Sequence, residues 1–176
     1  MSNNIFLKKV IDLMQVGQLN EALEILNKAE IEDSNIFFLR GSIYLNLKKI
    51  DLAEENLKLA AKLNDKNYSI FHNLAVLYVL KGDNESAKLN YLKVLQINNQ
   101  NIISMCELAN LYTKEKNYDE AQKFFESVLK KDPNYKKANL GLGNLYMKKN
   151  DYKNGYNYIH KATGLIRFNN EGIKIV

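Results

Sequence analysis

Asn73-Leu74-Ala75-Val76-Leu77-Tyr78-Val79-Leu80-Lys81-Gly82-Asp83-Asn84-Glu85-Ser86-Ala87 is the stretch whose reading decides the fold. Upstream, Asn67-Tyr68-Ser69 opens a helix. Ile70, Phe71, Leu74, Ala75, Leu77 and Tyr78 then fall at helical spacing on one broad apolar face. Gly82-Asp83-Asn84 ends that helix, with glycine supplying the turn. A second helix is predicted from about Glu85 to Ile97, with Ala87, Tyr91, Val94 and Leu95 on one side. Asn98-Asn99-Gln100-Asn101 is the next turn. The stretch therefore reads as two helices joined tightly.

Working outward, the same unit recurs. Tyr44, Tyr78, Tyr112 and Tyr146 stand 34 residues apart. The residue before each is apolar: Ile43, Leu77, Leu111 and Leu145. Three before each is small: Gly41, Ala75, Ala109 and Gly143. Nine after each is small again: Ala53, Ala87, Ala121 and Gly155. Small side chains let the two helices of a unit approach closely, while Tyr, Leu and Phe fill the space between units. One unit cannot bury its faces alone, so neighbours must stack. At the N-terminus Gly17-Gln18-Leu19-Asn20-Glu21-Ala22 matches the turn at Gly82, but Ala22 precedes Ala53 by only 31 residues. The shortening falls in the connection Ala29-Glu30-Ile31-Glu32-Asp33-Ser34, which leaves the helices intact.

Composition agrees with a helical repeat. The 176 residues are 46% hydrophobic, with one Pro and eight Gly, too few for a strand-and-turn architecture. No stretch approaches the roughly 20 apolar residues of a spanning helix, and the N-terminus has no export-signal pattern. A single cysteine, Cys106, excludes an intramolecular disulfide, so a cytoplasmic, reducing location is expected. Charge is uneven. Residues 1–88 hold 11 Lys+Arg against 12 Asp+Glu, and residues 89–176 hold 14 against 8. The basic half reads as a solvated surface or as a face for an acidic partner.

This pattern resembles the tetratricopeptide repeat (TPR) family over nearly the whole chain. The resemblance rests on Leu74-Ala75, Tyr78, Gly82, Ala87, Tyr91 and Leu95 in one unit. Leu108-Ala109, Tyr112, Tyr118, Ala121, Phe125 and Asp132-Pro133 carry it in the next, and Leu142-Gly143-Asn144-Leu145-Tyr146 and Asp151-Tyr152 in the last. It implies an all-α, right-handed superhelical solenoid of about five helix-turn-helix hairpins. Their bounds are expected at about 3–30, 35–63, 68–97, 102–131 and 136–163, within a solenoid of residues 1–163. Arg40 stands where Leu is usual and Gly155 where Ala is usual. The large residue opening each first helix runs Phe6, Phe37, Phe71, Met105, Asn139, so the last hairpin is expected to pack less tightly. Residues 164–176 lack the polar capping helix a solenoid end needs. This tail is expected to be ordered only by packing or a partner, to mediate self-association, or to lead into a larger protein.

No catalytic constellation is evident, and no cofactor or metal is expected. Gly141-Leu142-Gly143 resembles a scrap of a phosphate loop but sits mid-helix in the repeat phase, where helix packing explains it. His72 and Cys106 share a phase but lack a third member. His160 is expected to face solvent. The tyrosines fall on the core-facing stripe, which argues against base stacking.

In the family, first helices line a concave groove. The resemblance places Leu7, Ile11 and Met14 there in the first hairpin, and Phe38, Ser42, Leu45 and Asn46 in the second. His72, Val76, Val79 and Leu80 follow in the third, and Cys106, Asn110, Thr113 and Lys114 in the fourth. Lys137, Leu140, Asn144, Met147 and Lys148 complete it in the fifth. The expected partner site is thus Phe38, Leu45, His72, Val76, Val79, Leu80, Cys106, Asn110, Lys114, Asn144 and Lys148, apolar first and basic later. That implies a non-catalytic scaffold holding a peptide or helical segment of another protein. A chaperone carboxylate clamp is disfavoured: Asn73 fits one clamp position, but Phe38 and Ser42 stand where Lys and Asn would be needed, and Ile103 and Glu107 where Lys and Arg would follow. The alternatives are an accessory module of a larger enzyme or assembly and, more weakly, nucleic-acid binding by the basic half.

Overall fold

The computed structural model describes residues 3–29, 32–164, 166–169 and 172–175. Among them are ten helices: α1 (Asn3–Gln15), α2 (Leu19–Asn27), α3 (Ser34–Asn46), α4 (Ile50–Leu63), α5 (Tyr68–Lys81), α6 (Asn84–Ile97), α7 (Ile102–Lys114), α8 (Tyr118–Lys131), α9 (Lys136–Lys148) and α10 (Tyr152–Thr163). They pair as antiparallel hairpins. Two compact units result, residues 1–97 and 98–176.

The 34-residue period is written into the backbone as well as the side chains. Each first helix closes with the same turn. The amides of Gln18, Lys49, Asp83, Asn117 and Asp151 donate to the carbonyls of Leu13, Tyr44, Tyr78, Tyr112 and Tyr146, all at 2.9 Å. The residue before each donor is left-handed: Gly17, Lys48, Gly82, Lys116 and Asn150, with φ of 79°, 58°, 77°, 63° and 62°. This is the Schellman arrangement, which satisfies two otherwise orphaned carbonyls. Glycine adopts it without strain, whereas the two lysines hold it at some cost.

The first-helix starts repeat too. Asp33, Asn67 and Asn101 cap α3, α5 and α7 with side-chain oxygens that accept amides of the first turn. Tyr135 holds the same position before α9 without a side-chain cap. Asp83, Asn117 and Asp151 do likewise for second helices, accepting from Ser86, Glu120 and Asn154.

In the first unit one cluster joins Val10, Ala22 and Leu26 to Ile36, Leu39 and Ile43. A second joins Ala53, Leu57 and Ala60 to Ile70, Leu74 and Leu77. Arg40 replaces the usual leucine for a local reason. Its guanidinium donates to the Leu26 carbonyl at 2.9 Å and pairs with Glu32, both in or beside the shortened connection. Where three residues are missing, a long donor-rich side chain satisfies the exposed helix end.

In the second unit the core is Ala109, Ala121, Phe125, Val128, Ala138, Leu142 and Leu145. The expected looseness of the last hairpin is not found. A Cβ on Gly143 would lie 2.7 Å from Ile159 Cγ1 and 3.0 Å from the Gly155 carbonyl, so α9 and α10 approach to a distance only glycine allows. Gly141 faces the Phe125 ring just as closely. Asn139 is buried and donates to the Pro133 and Tyr135 carbonyls, doing by hydrogen bonding what an aromatic does by bulk. His160, expected to face solvent, is half-buried, and its Nδ1 is enclosed without a hydrogen-bond partner among the described residues.

Past α10 the backbone makes an antiparallel hairpin of β1 (Ile166–Asn169) and β2 (Gly172–Ile175), with Ile166 opposite Ile175. Strand β1 lies against α10. The expectations placed on the side chains of residues 165–176 lie outside the described residues.

Candidate functional site

The first unit carries a cleft of about 590 Å³ between α3 and α5. Its lining is Ser42, Leu45, Asn46, Lys48, Ile50, Asn73, Val76 and Leu80. The repeat phase explains why these residues converge: 42 and 76, and 46 and 80, are each 34 apart, so equal positions on adjacent first helices face one opening.

The floor is polar and pre-organised. Asn73 Nδ2 donates to Ser42 Oγ at 2.8 Å, and Ser42 Oγ donates to the Phe38 carbonyl at 2.7 Å. Asn46 Nδ2 donates to the Ser42 carbonyl at 3.1 Å. These bonds fix both amide groups, so their oxygens present acceptors at set positions. The walls are apolar: Leu45 and Val76 are half-buried and Leu80 is exposed. Lys48 sits on the rim at the left-handed turn position.

Of the residues expected from sequence, Leu45, Val76 and Leu80 come together in this cleft. Val79 is exposed beside them on α5. Phe38 instead packs half-buried against the clusters on both sides of α3. His72 lies edge-on to Tyr91 of its own hairpin, ring centroids 5.7 Å apart. Ser42 and Asn46, placed in the groove by phase, do line the cleft, and so does Asn73. Lys48 and Ile50 were missed. The signal for Lys48 was available: it stands where Gly82 makes the turn one repeat later.

In the second unit Asn110, Lys114, Asn144 and Lys148 are all exposed on α7 and α9. Asn110 Nδ2 donates to Glu107 at 3.3 Å. Cys106 is a correction. It is buried in the core with Ala109, Ala138 and Leu142, and cannot present a surface to a partner. Burial pushes its thiol up to about 12, which removes nucleophilic character at neutral pH. Among the described residues no group of three His, Cys, Asp or Glu could hold a metal ion, and no helix is long and apolar enough to cross a membrane.

The tyrosine ladder does more than fill space. Tyr78 Oη donates to Glu54 at 3.2 Å, and Gln122 Nε2 donates to Tyr146 Oη at 3.3 Å. Both pairs are 24 residues apart and join a second helix to the next first helix. Glu54 also accepts from Lys58 and Lys81, each at 2.6 Å. These charge-assisted bonds bring its carboxyl from 4.5 down to about 2.

Solved structures share this arrangement. The structure of MamA matches with a TM-score of 0.77 at 17% identity, covering 87% of this chain and 91% of that one. PilF of Pseudomonas aeruginosa matches at 0.80 and 17% identity, over 92% of this chain and 76% of that one. YrrB, described as a TPR protein with an unusual peptide-binding site, matches at 0.75 and 19% identity, over 90% and 84%. No curated protein matches in sequence. Tetratricopeptide repeat family models match residues 34–67, 68–101 and 112–157. With these matches spread over most of its length, and with turns and cores recurring at the same 34-residue interval, the chain belongs to the tetratricopeptide repeat family.

Proposed function

We propose that this protein is a non-catalytic scaffold that binds an extended or helical segment of another protein in the α3–α5 cleft. The cleft itself carries the reading. Apolar walls at Leu45, Val76 and Leu80 surround fixed amide acceptors at Asn46 and Asn73. Apolar walls supply affinity, and set backbone-facing acceptors supply register. In the second unit Asn110 and Asn144 offer amides and Lys114 and Lys148 offer positive charge, which suits acidic side chains of the same ligand class. The same reading places the protein in a reducing, cytoplasmic setting, and burial of Cys106 with its raised pKa leaves that thiol without a nucleophilic role at neutral pH.

The test is affinity capture with mass spectrometry, comparing wild type with Val76→Glu and Leu80→Glu. Both side chains reach the cleft, so both variants should stay helical by circular dichroism and lose the captured segment. Capture unchanged in both variants would refute the assignment.

A further inference from the structure

The second helix of the second hairpin carries a stripe that the repeat does not require. On α4, Leu52, Leu59 and Leu63 are 42%, 37% and 56% exposed. With Asn56 they fall at spacings of four, three and four residues, the seam spacing of a two-stranded coiled coil. The repeat does not require a leucine at each of these positions. One repeat on, their positions hold Ser86, Lys93 and Ile97; two repeats on, Glu120, Ser127 and Lys131. The repeat tolerates polar residues at Leu52 and Leu59, yet α4 is apolar at both.

The charges beside the stripe identify the occupant. Glu55 and Lys62 flank the seam on one side, seven residues apart and both exposed. Neither makes an ion pair among the described residues. The neighbouring Glu54 and Lys58 pair with each other away from the seam. When two copies of such a helix run antiparallel, Leu52 meets Leu63 and Asn56 meets Leu59, so four layers close. In that register flanking residues of the same seam position meet, and Glu55 of each copy faces Lys62 of the other. A parallel pairing would instead place like residues at the same level and lose this complementarity.

We propose that α4 is a self-association surface, on which a second copy of this chain docks its own α4 antiparallel. Three helical turns make a small interface, below the roughly 1,200 Å² of standard specific complexes. The dimer is therefore weak and concentration-dependent. Its surface is separate from the α3–α5 cleft, so its test is independent of that site.

Sedimentation velocity over a broad concentration series tests it. Wild type should pass from monomer to dimer as concentration rises. Leu59→Glu should stay monomeric with unchanged helicity. Glu55→Lys and Lys62→Glu should each weaken association by about tenfold, because two attractive pairs become repulsive. Mixing Glu55→Lys with Lys62→Glu should restore dimers, since each chain then meets opposite charge. The double variant Glu55→Lys/Lys62→Glu should also recover. A chain that stays monomeric throughout overturns the proposal and leaves the stripe to a different protein. Dimers that ignore both charge reversals overturn it too, placing self-association elsewhere.

Discussion

Replacing Glu54 with Gln should destabilise the first unit at neutral pH and flatten its acid response. The carboxylate is 16% exposed and accepts from Lys58, Lys81 and Tyr78. Its pKa falls from 4.5 to about 2. A depressed folded value means stability that is complete above the unfolded value and lost as pH falls through the folded one. Taken in full, the drop is worth about 3 kcal/mol. Lys58 and Lys81 are 59% and 39% exposed, so solvent screens both partners and about 1–2 kcal/mol is the realistic share. Urea unfolding followed by helical circular dichroism, at about pH 7 and in steps down to about pH 2, measures it. Glu54→Gln should be weaker than wild type by that amount near neutrality, and the two curves should converge by about pH 2. Tyr78→Phe removes the 3.2 Å hydroxyl bond to Glu54 and should cost about 0.5–1 kcal/mol, with a slightly shallower pH slope than wild type because that bond is one of those that lower the Glu54 carboxyl. Parallel pH profiles for wild type and Glu54→Gln would refute the reasoning, since the glutamate would then titrate alike in folded and unfolded chains.

Four further outcomes follow from the geometry. Lys116→Gly should stabilise by up to about 1 kcal/mol in thermal unfolding, because a left-handed lysine is relieved at φ 63°, and Gly82→Ala should cost a similar amount at the equivalent turn. Gly143→Ala should lower stability by about 1–3 kcal/mol despite the better helix propensity of alanine, since its Cβ would press on Ile159 and the Gly155 carbonyl. Cys106 should resist a disulfide reagent in the native protein and react promptly once urea unfolds the chain, as its burial and raised pKa require.

The repeat phase was enough to place helices, turns and close approaches, because each depends on residue type at a fixed interval. It was less able to place the site. Phase says which way a residue points, not how far it reaches or what lies over it. Phe38, His72 and Cys106 share one phase, yet the first is wedged between two clusters, the second rests on Tyr91, and the third is buried. Val76 and Leu80 were found because adjacent first helices leave space at their level. Ser42 and Asn73 form the floor because a hydroxyl and an amide can bond across that gap where two large side chains would close it.

Departures from the period therefore carry more functional information than the period itself. Tyr44, Tyr78, Tyr112 and Tyr146 recur because four of the hairpins pack a ring beside their core at that position; the turn bond needs only the backbone carbonyl, which Leu13 supplies equally well in the first hairpin. Selection for stacking alone would hold equivalent surface positions to no particular residue. Leu52, Leu59 and Leu63 break that expectation on one helix, and Ser42 with Asn73 break it in one cleft. Arg40 does so in one connection, where Leu26 and Glu32 supply a structural reason. On α4 the fold accepts polar residues at two of the three positions, where Ser86 and Lys93, then Glu120 and Ser127, stand at the same phase. A row of part-exposed leucines at seam spacing, on positions where the fold accepts polar residues, suits a partner outside the chain. Glu55 and Lys62, without an ion pair among the described residues, make another α4 the complementary partner.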